Sequence, residues 1–149
     1  MPLDEEINTR CAIDALNADF VWALDGGHTD RLDAIFAPNA TYVSGTRKLE
    51  GLDAIREFFE QRQTATQRST RHMYSGLRVE KVDGKIARGT SVWLSFAANS
   101  PIPTDEVNIY MVADFHDLYE AGEDGRWRIL ERRIQGVFRN PAAGPRGRN

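Results

Sequence analysis

The sequence predicts an α+β fold: a strongly curved, mostly antiparallel sheet wrapped around a long N-terminal helix, with two further helices. Three observations predict it. Apolar residues recur at three- and four-residue spacing only in the first 60 positions; the later sequence is rich in aromatic and branched residues over four long runs; and Asp83-Gly84 marks a hairpin between two of them. Helices segregated ahead of consecutive strands leave a concave pocket at the open end of the sheet.

The first helix runs from Asp4 to Leu24, with Ile13, Leu16, Phe20, Ala23 and Leu24 as its inner stripe. Asp4, Glu5 and Glu6 suit its positive end, and Gly26-Gly27 stop it, which puts Asp25 in the last turn. Thr29 caps a short second helix whose buried stripe is Leu32, Ile35 and Phe36, ended by Ala37-Pro38-Asn39. Ala40–Arg47 reads as a strand. Gly51 opens a third helix with Leu52, Ile55, Phe58 and Phe59 on one face. Ser69–Val82 and Lys85–Ala98 form the hairpin arms, and Asn99–Pro103 is a rim loop. Thr104–Tyr119 and Arg126–Phe138 are the last strands, joined by a turn at Gly122–Gly125. The domain is expected to span 1–139. Residues 140–149, with no large apolar group, read as a disordered tail.

Composition narrows function mainly by exclusion. The 149 residues carry 19 Lys+Arg and 22 Asp+Glu, a net charge of −3, which argues against a general nucleic-acid binder. No apolar run reaches the roughly 18 residues of a membrane span, and the acidic N-terminus is unlike a signal peptide. The single Cys11 excludes an intrachain disulfide and a cysteine-based zinc site, and it reads as buried packing in a cytoplasmic protein. Dinucleotide, P-loop, zincin and nucleophile-elbow motifs are absent. No metal and no cofactor are expected.

Of the three histidines, His28 lies in a polar turn and His116 near a strand end without a matching ligand set. His72 stands out. It opens a strand whose inward register includes Leu77, an odd number of residues on, so a bulge is expected at Ser75-Gly76. Asp25 faces unfavourable dipole charge at a helix C-terminus, a position that gains from a cationic partner. A carboxylate bonded to one imidazole nitrogen fixes the tautomer and makes the other a general base. The aromatic residues Trp22, Phe36, Tyr42, Phe58, Trp93 and Tyr110 are read as candidate lining for a ring-bearing or apolar small molecule, with Tyr42 and Tyr110 hydroxyls to orient it.

Five segments, Ala23–Gly27, Asp30–Ala40, Glu50–Ile55, Thr70–His72 and Asp124–Ile129, resemble the SnoaL-like branch of the nuclear-transport-factor-2-like superfamily. The resemblance implies a cone-shaped α+β barrel with a deep pocket, and an assembly as homodimer or homotrimer. Asp25 and His72 match the Asp–His positions of scytalone dehydratase and hexachlorocyclohexane dehydrochlorinase, which implies a cofactor-independent elimination or isomerisation on an apolar, cyclic metabolite. Arg132, or Arg133 after a one-residue slip, matches the dehydrochlorinase's arginine and would stabilise developing negative charge. Its first-helix lysine is matched by Phe20, and the dehydratase's second histidine, serine and asparagine by apolar residues near Ala97, Ala113 and Phe115. The other reading is a non-catalytic binding or assembly domain resembling a ring-hydroxylating dioxygenase small subunit.

Overall fold

In the computed structural model, which describes residues 2–65 and 67–146, helix α1 (Leu3–Gly26) lies across a six-stranded sheet. Its stripe Ile13, Leu16, Phe20 and Ala23 is buried against that sheet as the spacing requires. Gly27, at φ 76°, closes the helix in the left-handed conformation that glycine adopts without strain. A single 3-10 turn (Thr29–Arg31) and one turn of helix, α2 (Leu32–Ile35), lead into β1 (Phe36–Ser44) and β2 (Arg47–Glu50). Helix α3 (Leu52–Ala65) precedes the four long strands β3 (Ser69–Lys81), β4 (Ile86–Ala98), β5 (Ile109–Ala121) and β6 (Trp127–Arg139).

The spatial order is β2-β1-β6-β5-β4-β3, antiparallel throughout except that β1 runs parallel to β6. Cross-strand partners share a face, so the inner wall is built in rows. From the narrow end upward these are Tyr119 with Ile129; then Gly89, Asp117, Arg132 and Tyr42; then Ser91, Phe115, Ile134 and Ser44; then Tyr74, Trp93, Ala113 and Gly136; and at the mouth His72, Ser95, Met111 and Arg139. The expected bulge is present: Gly76 and Leu77 oppose only Ser91, Gly76 takes φ 65°, and Leu77 turns into the core.

Four expectations are corrected. Phe36 is buried as the first residue of β1, not the last of a helix, because the chain carries Pro38 through an irregular stretch where the β1–β6 register shifts. The rim loop extends to Ile109, five residues beyond the expected start of that strand. Cys11 is exposed, lying off the buried stripe of α1. The tail is ordered as far as Arg146: Asn140 caps a 3-10 turn at Pro141–Ala143, Ala143 is buried, and Asn99 Nδ2 donates to the Gly144 carbonyl at 2.9 Å. Its last residues, 147–149, lie outside the described residues. Among the described residues no helix is long and apolar enough to cross a membrane.

Candidate active site

Strand β3 is a sheet edge, and its outer side meets the C-terminal turn of α1. An edge strand has backbone N–H groups without strand partners, and here a carboxylate supplies one. Asp25 Oδ2 accepts the His72 backbone N–H at 2.8 Å. Its Oδ1 accepts the Thr70 hydroxyl at 2.9 Å and lies 2.6 Å from His72 Nδ1. Side-chain exposure is 8% for Asp25 and 13% for His72. Burial pushes the Asp25 carboxyl up, but the His72 hydrogen bond and charge, the His72 N–H and the Thr70 hydroxyl outweigh it and hold the group below its ordinary value. An ionised Asp25 has only lone pairs to offer, so Nδ1 carries the proton and donates. Nε2 is the nitrogen left for the cavity. His72 and Asp25, 47 positions apart, are thus brought together as expected.

Above them opens a cavity of about 630 Å³ lined by Tyr42, Phe58, His72, Trp93 and Tyr110 among others. A second, of about 330 Å³, adjoins it and includes Asp25; the two share Phe20, Leu24, Arg62, Arg68 and Thr70. The aromatic wall is a stack: Trp93 lies 4.5 Å from Phe115 and 4.8 Å from Tyr74, and Phe20 meets Trp93 edge-on at 5.8 Å. Trp93 Nε1 donates to Ser91 Oγ at 2.8 Å. Burial raises the Tyr42 hydroxyl, which remains protonated at neutral pH.

Three sequence-predicted residues lie elsewhere, one of them Phe36, which is fully buried in the core and lines neither cavity. Trp22 is 51% exposed and stacks on His28 with ring centroids 3.6 Å apart, away from both cavities. It is two residues from the buried Phe20, about 200° around the helix, so the two face opposite ways. Arg132 points inward while Arg133 is outside, paired with Glu131 at 2.9 Å. Yet Arg132 does not line the cavity. Its row is three below that of His72, six residues of β4 or about 20 Å of strand. Phe20, Trp93 and Phe115 stand in between, their centroids 4.6, 5.2 and 5.0 Å from the guanidinium carbon.

Arg132 instead completes a buried polar network. Its Nε and Nη2 donate to Asp117 at 3.0 and 3.1 Å, and Nη2 also donates to Asn17 Oδ1. Asn17 Nδ2 donates to the Tyr119 hydroxyl at 3.2 Å, which donates to Asp117 at 2.8 Å. Burial, then the Asp117 charge, push the Tyr119 hydroxyl well above its ordinary value, so it stays a donor.

The cations at the cavity are others. Arg47, Arg62, Arg68, Arg139 and Arg146 line it, brought from the start of β2, α3, the approach to β3, the end of β6 and the tail. Each alone reads as a surface charge, and no local signal groups them. Among the described residues no three His, Cys, Asp or Glu side chains cluster as a metal site.

The sequence matches the SnoaL-like domain over residues 5–133. No curated protein matches it. Among solved structures it is similar to Rv3472, a protein of unknown function from Mycobacterium tuberculosis, at 22% identity over 92% of this chain and 76% of that one, with a TM-score of 0.80. It is similar to a putative scytalone dehydratase from Novosphingobium aromaticivorans at 23% identity over 99% of both chains, with a TM-score of 0.79. A nuclear transport factor 2-like superfamily protein from Salmonella enterica aligns at 13% identity over 89% of this chain and 93% of that one, with a TM-score of 0.74. The fold is therefore that of the nuclear-transport-factor-2-like superfamily, as the sequence implies.

Proposed function

This chain belongs to the SnoaL-like domain family, and from that premise we propose that it is a cofactor-independent lyase or isomerase whose base is His72. The observation that carries the proposal is the double grip of Asp25, on the ring Nδ1 at 2.6 Å and on the backbone N–H at 2.8 Å of the same residue. It fixes both the tautomer and the position of the ring at the cavity wall. In the reaction, Nε2 takes a proton from a carbon of the substrate and the C–H electron pair forms the new double bond. Either a leaving group departs with its own pair, or the proton returns at another carbon. Asp25 stabilises the imidazolium that forms without taking its proton. The likeness to a putative scytalone dehydratase supports this reaction class.

The second reading, a non-catalytic assembly domain, calls for a filled barrel. A 630 Å³ cavity that reaches His72 supports the catalytic reading over it. The test is a panel of cyclic ketones, hydroxyketones and halogenated rings incubated with the protein in D₂O and followed by proton NMR. We expect exchange or elimination with at least one member and a loss of about 10²- to 10⁴-fold in His72→Gln. Turnover that survives undiminished in that variant overturns the assignment.

A further inference from the structure

We propose that the cavity takes a ring-bearing anion, a carboxylate or phosphate monoester whose ring lies on the Trp93 wall and whose charge sits among Arg47, Arg139 and Arg146. Five arginines line this cavity and no described Asp or Glu does, in a chain whose net charge is −3. The chain as a whole does not dictate that imbalance; it is local. Among the described residues, Arg47, Arg139 and Arg146 form no ion pair with a carboxylate. Guanidinium groups gathered without counter-charge repel one another, and an entering anion relieves that repulsion while accepting paired N–H bonds.

Two of these side chains are held in place by aromatic rings. Arg47 lies 4.5 Å over Phe58, and Tyr110 has Arg68 at 5.0 Å and Arg139 at 6.0 Å. Such stacking places the cations before a ligand arrives. Arg139 also shares the mouth row with His72, joined through Ser95 and Met111. Three strand spacings, at most about 14 Å, separate their Cα atoms, so the charge and the base face each other across the cavity. An apolar ring spans that gap between the aromatic wall and the basic rim. Binding of the anion depends on the arginines alone; that the anion is the substrate rests on the proposal for His72.

The test uses three naphthyl probes, 2-naphthoate, 2-naphthyl phosphate and 2-naphthamide, the last a neutral isostere of the first, titrated calorimetrically into the full chain. At least one of the two anions should bind about tenfold or more tighter than the amide, and raised salt should narrow that margin. Arg47→Gln and Arg139→Gln should each weaken that anion several-fold and leave the amide unchanged. Arg133→Gln, which removes an equal charge outside the cavity, should change neither. The better-bound probe identifies the anionic group as carboxylate or phosphate. His72→Gln should keep the anion affinity, so a failure of the catalytic proposal alone shows as anion binding intact with no turnover in the wild type, or with turnover undiminished in His72→Gln. An amide that binds as tightly as both anions, no measurable binding, or an equal loss in Arg133→Gln overturns the proposal.

Discussion

Arg132→Met is expected to unfold the protein more readily, although Arg132 is not itself a cavity-lining residue. The substitution removes a guanidinium that is fully buried, with no exposure of its own and 2% for Asp117. Asp117 then keeps only the Tyr119 hydroxyl, and Asn17 Oδ1 loses its donor. Breaking a buried pair from one side costs about 3–5 kcal/mol, because the remaining charge is stranded away from water. At about 2–4 °C per kcal/mol for a domain of this size, thermal unfolding should fall by roughly 6–20 °C. The double variant Arg132→Met/Asp117→Leu removes both charges and fills the space with apolar atoms, so it should lose less than either single change. Differential scanning calorimetry reads all three. A single-variant cost below about 1 kcal/mol, or a double variant that loses the sum, would refute a coupled buried pair.

Three further outcomes follow from the geometry. Because Asp25 is held below its ordinary value of 3.8 when folded, it contributes stability above that value and loses it as pH falls through the folded one; the unfolding gap between wild type and Asp25→Asn should shrink as acid titrates the carboxylate below about pH 4, and a gap unchanged there would contradict the hold on Asp25. Trp22→Ala should leave 2-naphthoate affinity unchanged, since the side chain faces away from both cavities; a several-fold loss would return Trp22 to the site. Gly76→Ala forces a left-handed alanine at φ 65°, costing about 1–2 kcal/mol and lowering the melting temperature by roughly 2–8 °C.

The fold was legible wherever one local rule decided it. The 3–4 spacing through Phe20, the glycine pair after Asp25 and the Asp83-Gly84 turn each point to the element that forms. The odd spacing of His72 and Leu77 foretells the bulge at Gly76 because alternation allows no other solution. What was hidden is set by three dimensions. Alternation along β6 turns Arg132 inward, but its depth depends on register with β5 and β1, which places it opposite Asp117 rather than beside His72. Trp22 has the residue type of a pocket wall, and only the helix phase relative to Phe20 assigns it outside. The arginines at the cavity come from positions spread between 47 and 146, joined by the closing of the cone alone.

The central claim is that Asp25 presents His72 with Nδ1 protonated and Nε2 bare toward the cavity. A long-range proton–nitrogen correlation spectrum of the ring, recorded where it is neutral, tests this most directly. The wild-type ring should show a protonated Nδ1 and a bare Nε2. In Asp25→Asn the amide oxygen must stay opposite the His72 backbone N–H, which cannot rotate, so the amide nitrogen takes the Oδ1 place and donates to Nδ1. The proton then moves to Nε2 and the base is lost. A wild-type ring already protonated at Nε2, or a tautomer unchanged by the substitution, would contradict the account.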